Sequence, residues 1–183
     1  LPADDLVGLL RTIDDELGLA ADDLHPGDPV ERELLWAACV LHDIGMTVDY
    51  DDHHKHSRYL ILNAGLPGFS PREVALIGQA VRYHRKGIPT LGRFSVLTGK
   101  GDGARLDRMA ALLRLAEDLE RSRDQSVHAC EVLVRDGTAE LHLRAERKSP
   151  ATIKSYGDGV RRFVGWCEAN GRFPALDRRT VAA

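Results

Sequence analysis

Apolar residues recur at steps of three and four along most of the chain, a period that predicts helices. Leu6, Leu9, Leu10, Ile13 and Leu17 mark an amphipathic helix over residues 4–19, and the Pro-, Gly- and Asp-rich stretch at 21–29 predicts a linker. A second helix is predicted from about Val30 through ELLWAACVLHD to Gly45, and a third from about His53 to Gly65. Ser70-Pro71-Arg72-Glu73 carries the cap, first-turn proline and early acid of a helix start. That fourth helix sets Val74, Ile77, Val81 and His84 on one stripe. Residues 87–103 hold five Gly and one Pro and predict a surface loop. A fifth helix, about Ala104 to Arg121, carries Leu106, Met109, Leu112, Leu113, Leu115, Ala116 and Leu119. The period then changes to two: Val132 and Val134, an Asp136-Gly137 turn, then Leu141 and Leu143 predict a β-hairpin near residues 127–145. Helical spacing returns after Ser149-Pro150. The expectation is a mainly α bundle with one small hairpin over residues 1–147, followed by a helical tail over 148–183.

Length and composition narrow this little further. The 183 residues, 43% hydrophobic and 29% charged, suit one domain or a domain with a small appendage. A net charge of -3 gives no global attraction to nucleic acid or anionic membrane, so any polyanion site must be a local patch. No apolar run approaches a membrane span and residues 1–20 lack a secretory pattern, which predicts a cytoplasmic protein without a membrane partner. Cys39, Cys130 and Cys167 are widely spaced in apolar or helical contexts and read as buried reduced thiols.

The chemistry-bearing pattern is His42-Asp43 at the end of an apolar helix, followed by His56, His84 and Asp118. Imidazole nitrogen and carboxylate oxygen together suit a divalent cation such as Zn, Mn, Fe, Co or Ni, with Mg where oxygen dominates. Such an ion activates water and neutralises phosphate oxygens. The metal candidates are therefore His42, Asp43, His56, His84 and Asp118, with Asp43 and His84 as catalytic candidates. Taken singly, His42 and Asp43 serve equally well as helix-end groups, His84 as a satisfied core histidine and Asp118 as a helix carboxylate. His56 leads Leu60 and Asn63 and is assigned to the core face, whereas His53 and His54 are assigned to solvent or the site mouth. His25, His128 and His142 read as structural or surface residues. Lys55, Arg58, Arg82, Arg85 and Lys86, interleaved with Tyr59 and Tyr83, form either a phosphate-gripping cluster or an ordinary solvated face. GKGDG at 99–103 lacks P-loop spacing, and no GxSxG or activated cysteine pattern occurs.

The blocks ERELLWAACVLHDIGMTV, HHKHSRYLILNAGLPGFSPREVALIGQAVRYHRKG and LDRMAALLRLAEDLERSR resemble the C-terminal HD-like helical domain of the exopolyphosphatase and guanosine pentaphosphate phosphohydrolase (Ppx/GppA) family. The resemblance covers about residues 1–147. It implies an HD-like bundle, polyphosphate or a phosphorylated nucleotide as ligand, and a separate actin-like phosphatase portion that carries the main hydrolytic site. In the wider HD superfamily an upstream His, the His-Asp pair and a later Asp hold a metal. The last three match His42, Asp43 and Asp118, and His56 and His84 match the histidines some subfamilies use for a second metal. Residues 1–24 contain no His, so the upstream ligand has no counterpart there. The stretch at 149–181 resembles the start of a tyrosine recombinase core-binding domain, although DNA is not the expected partner.

The resulting expectation leans towards a metal-dependent phosphohydrolase. Its alternatives are a non-catalytic polyphosphate- or nucleotide-binding module and a DNA-binding fragment acting through the tail. The hairpin edge also allows a homodimer.

Overall fold

The computed structural model describes residues 28–119, 127–135 and 138–145, with Lys154 as an isolated helical position. The predicted helix over 4–19, most of the linker and the tail after 148 lie outside the described residues. The described part is mainly α-helical. It comprises α1 (Pro29–Leu41), a 3-10 turn (Ile44–Thr47), α2 (His53–Ala64), α3 (Pro71–Arg82), a second 3-10 turn (Gly92–Val96) and α4 (Asp102–Leu119). The strands β1 (Val127–Arg135) and β2 (Thr138–Ala145) follow. Contacts divide the chain into one unit spanning Asp28–Arg114 and another that carries Leu115 onward.

Local chemistry sets the helix starts. At α1, Asp28 accepts from the Val30 amide at 2.9 Å and Pro29 occupies the first turn. At α3, the Ser70 hydroxyl receives the Glu73 amide while Glu73 reaches back 2.7 Å to the Ser70 amide, closing a capping box behind Pro71. Every residue of α3 from Val74 to Val81 is buried. Gly78 lets α2 approach it, because a Cβ there would stand 3.3 Å from Leu62. Leu34, Leu76, Ile77, Leu106, Met109 and Leu113 complete the core. A buried charge network secures α4: Arg108 donates twice to Glu31, at 2.8 and 2.7 Å, while Arg72 and Arg105 converge on the fully buried Asp102.

Three boundaries differ from the sequence expectation. The helix expected to reach Gly45 stops at Leu41, and His42 and Asp43 occupy the tight turn between α1 and the 3-10 segment. The cause is Ser57 of α2, whose hydroxyl donates to the His42 carbonyl at 2.6 Å and accepts the Gly45 amide at 2.8 Å. These bonds take backbone groups that a continuing helix would use. The fourth helix stops at Arg82, so His84 lies beyond its end. There Arg114 donates to the carbonyls of Tyr83 and Gly87, and Gly87 adopts φ +89°. The glycine-rich 87–103 loop contains the 3-10 turn at 92–96, and its last two residues open α4.

In the other unit, β1 and β2 pair antiparallel, with Val132 opposite Leu141 and Arg135 opposite Thr138, and an irregularity between Val127 and Ala129. The expected Asp136-Gly137 turn lies outside the described residues. No helix among the described residues is long and apolar enough to cross a membrane.

Candidate metal centre

Three chain segments bring their histidines to Asp43: the turn after α1, the first turn of α2 and the turn after α3. One nitrogen of each ring is held in the same way. His42 Nδ1 donates to the Cys39 carbonyl at 2.7 Å, His53 Nδ1 to Tyr50 at 2.9 Å, and His84 Nδ1 to Val81 at 2.7 Å. A carbonyl oxygen only accepts, so Nδ1 carries the proton in each neutral ring and the lone pair is on Nε2.

Those Nε2 atoms point at the Asp43 carboxylate. His53 Nε2 stands 3.2 Å and His84 Nε2 3.9 Å from Oδ1, while His42 Nε2 stands 3.4 Å from Oδ2. His53 and His84 also face each other Nε2 to Nε2 at 3.3 Å. Two lone pairs at that distance repel unless a proton or a cation lies between them. The ligand atoms of Asp43, His53 and His84 all lie within 4.8 Å of one another. His42, His53 and His84 are buried, and Asp43 is partly exposed.

The electrostatics favour a neutral His84 ring beside a charged Asp43 carboxylate. Burial, reinforced by His42, depresses His84 to a pKa of about 3. Burial works to raise the Asp43 carboxyl, but its histidine neighbours, His42 first and then His53 and His84, bring it below its usual value. Deprotonated imidazoles, a carboxylate and fixed Nδ1–H groups are the donor set a borderline divalent cation requires, so the residues fit a metal.

His53 and His54 are not solvated, contrary to expectation: their exposures are 3% and 1%. The inward face of α2 runs through His53, Ser57 and Ile61, and His56 lies beside it, partly exposed. His56 is not in the group assembled around Asp43. Asp118 is partly exposed on the last turn of α4 and belongs to the other unit. His54 makes no hydrogen bond through either ring nitrogen among the described residues, and its Nε2 lies 3.8 Å from Asp52. Burial and then the charge of Arg82 lower its pKa to about 4.

The basic residues divide by partner. Lys55 pairs with Asp52, whereas Arg58 donates to Gln79 at 3.2 Å and Arg82 lies over the Tyr83 ring. Arg85 and Lys86 are exposed just beyond His84. Sequence reasoning missed His53, whose signal was the i, i+4, i+8 spacing of His53, Ser57 and Ile61.

Residues 16–152 match the family described as Ppx/GppA phosphatase, domain III. The chain is 36% identical over 150 residues to a guanosine-5'-triphosphate,3'-diphosphate pyrophosphatase of Vibrio vulnificus (strain YJ016), covering 70% of this chain and 29% of that protein. Proteins of the same name from Vibrio campbellii (strain ATCC BAA-1116) and Aliivibrio fischeri (strain MJ11) are 31% and 37% identical, over 60% and 53% of this chain. The chain covers 21% and 19% of those two proteins, so it spans less than a third of each relative.

Proposed function

Since the chain belongs to the Ppx/GppA phosphatase family through its domain III, we propose that it is a phosphohydrolase module whose Asp43-centred histidine cluster holds a divalent metal. One observation carries the reading: His53 and His84 face each other through Nε2 at 3.3 Å, each with Nδ1–H tied to a carbonyl three residues earlier. That arrangement keeps both lone pairs available and costs free energy while no cation or proton is shared between them. Asp43, His53 and His84 are the proposed ligands, with His42 beside Asp43 as a further donor. Asp118 and His56 remain candidates through the family resemblance alone.

When bound, a divalent ion supplies Lewis-acid stabilisation of phosphate oxygens and lowers the pKa of water. Asp43 supplies the negative charge of the site, and the fixed rings present neutral nitrogen without rearrangement. Buried Ser57 ties the Asp43 turn to α2 and keeps His53 in register with it. Lys55, Arg58, Arg82, Arg85 and Lys86 are the proposed phosphate-side residues. The names of the relatives suggest a guanosine polyphosphate as substrate, and the family suggests polyphosphate as the alternative.

The test is phosphate release from guanosine-5'-triphosphate,3'-diphosphate and from tripolyphosphate with Mn, Mg, Zn, Co, Ni or Fe(II). Metal-dependent release that falls at least a hundredfold in Asp43→Asn supports the reading. Hydrolysis that ignores metal or Asp43→Asn refutes it, as does no hydrolysis with any ion. A second reading, binding without catalysis, is favoured by basic side chains near the cluster that pair with no carboxylate among the described residues. It requires metal-independent anion binding and no turnover.

A further inference from the structure

Charge is sorted along the first unit. Residues 33–54 hold Glu33, Asp43, Asp49, Asp51 and Asp52 with no Lys or Arg, whereas residues 74–101 hold Arg82, Arg85, Lys86, Arg93 and Lys100 with no Asp or Glu. Each stretch presents an apolar pair to solvent. In the acidic stretch Val48 and Tyr50 are 58% and 64% exposed, flanked by exposed Asp49 and Asp51. In the basic stretch Val96 and Leu97 are 85% and 47% exposed, between exposed Arg93 and Lys100. Lys55 takes Asp52, but Asp49, Asp51, Arg93 and Lys100 meet no opposite charge within ion-pair distance among the described residues.

Both patches are held in shape by hydrogen bonds. The Val48 and Asp49 amides return to the Gly45 carbonyl at 3.0 and 3.2 Å, and the Asp51 amide donates to Asp49 Oδ1 at 3.1 Å. In the basic loop, buried Gln79 donates to the Thr90 and Leu91 carbonyls. The Leu97 amide returns to the Phe94 carbonyl at 2.9 Å, and the Gly99 amide donates to buried Asp102 at 2.8 Å. Residues three apart share a face of a 3-10 turn, so Arg93 lies beside Val96. Apolar side chains fixed in water gain free energy when a second surface covers them, and the charges around them select which surface that is. The acidic patch also borders the candidate metal centre. Tyr50 lends its carbonyl to His53 Nδ1, and the two rings stand 5.8 Å apart.

We propose that a second copy of this chain docks its Arg93–Lys100 loop on the Val48–Asp51 patch, reciprocally, in a two-fold dimer. Val96 and Leu97 of one copy cover Val48 and Tyr50 of the other, while Arg93 and Lys100 meet Asp49 and Asp51. The two-fold axis repeats this contact, so both patches of both copies are satisfied. Exposed ion pairs alone hold little, so the apolar cover supplies the affinity and the charges fix the register. Docking also brings the cationic side chains of one copy to the rim of the other copy's Asp43 cluster. Association itself does not depend on the metal reading.

The test is sedimentation velocity of the full chain, in EDTA, across about a hundredfold range of concentration. The parent should pass from monomer to dimer, and higher salt should weaken the dimer. Asp49→Lys/Asp51→Lys and Arg93→Glu/Lys100→Glu should each weaken self-association at least about a hundredfold, because like charges then oppose each other in both contacts. An equimolar mixture of these two variants should recover the dimer, since each contact again joins opposite charges. Val96→Ser should weaken the dimer about tenfold through lost apolar cover. Circular dichroism checks that each variant is folded. The proposal is overturned by a parent that stays monomeric, or by a dimer that both charge reversals leave intact, as pairing of hairpin edges would. It is also overturned by a mixture of folded variants that stays monomeric. A charge-dependent dimer of a chain that takes up no metal would leave this interface standing and remove the metal reading. Metal uptake by a chain that stays monomeric would do the reverse.

Discussion

Replacing Gly45 by Ala should damage fold and site together. A Cβ at Gly45 would fall far inside contact distance of the His53 carbonyl oxygen and the Ser57 amide nitrogen, and 2.8 Å from His56 Cβ. The first two are backbone atoms of α2 and cannot rotate away. Even against the His56 Cβ, the turn and the helix must separate by more than half an ångström to reach ordinary contact. That movement loosens the Gly45 amide to Ser57 bond at 2.8 Å and the Ser57 to His42 carbonyl bond at 2.6 Å. It also draws His53 from Asp43, now 3.2 Å away. Overpacking costs about 1–3 kcal/mol and each weakened buried hydrogen bond about 1 kcal/mol, giving roughly 3–5 kcal/mol in total. For a chain of this size that lowers Tm by about 10 °C. Gly103 is the control: it lies in the first turn of α4, and an added Cβ meets nothing within 4 Å. Gly103→Ala should therefore be neutral or raise stability by up to about 1 kcal/mol. The assay is thermal unfolding followed at 222 nm, with metal uptake measured on the same samples. A Gly45→Ala melting temperature within about 2 °C of the parent, with unchanged uptake, would refute the close-approach argument.

Other expectations follow from the same structure. Ser57→Ala removes one hydroxyl that serves two buried backbone groups and should cost about 1–3 kcal/mol in chemical denaturation. In Asp102→Asn the Arg72 and Arg105 contacts lose their charge, and stability at neutral pH should fall by about 1–2 kcal/mol, moderated by the exposure of Arg72. Hydrogen bonding to Arg72 outweighs burial and holds the Asp102 carboxyl below its usual value, so its contribution is complete above the ordinary carboxylate range. The parent's advantage over Asp102→Asn should then shrink as pH falls through that range; an advantage that grows would contradict the assignment. His84 and His54 are depressed to about 3 and about 4 by burial, so the unfolded chain takes up their protons first as pH drops below about 6.5. Stability should fall between about pH 6.5 and 4.5 by up to about 1.4 kcal/mol per pH unit for each ring, and denaturant melts that are flat over this window would exclude such burial.

Much of the architecture was legible because amphipathic spacing and caps act locally. Ser70-Pro71 announced the start of α3, and alternation announced the hairpin. The helix ends were not legible in the same way, because distant groups impose them. Ser57 takes the backbone groups after α1, and Arg114 takes the carbonyls after α3. His42, Asp43 and His84 stood out as a site pattern, but His53 did not. A hydroxyl does not read as a core residue, so Ser57 concealed the His53–Ser57–Ile61 stripe, while Leu60 drew attention to His56. Ser57 is buried because two backbone groups satisfy it, which only the assembled fold reveals.

Metal content of the purified protein, determined by plasma mass spectrometry on the parent and Asp43→Ala after identical reconstitution and dialysis, tests the central claim most directly. The account expects near-stoichiometric divalent metal in the parent and loss of most of it in the variant. A parent that retains no metal, or a variant that retains as much as the parent, would contradict it.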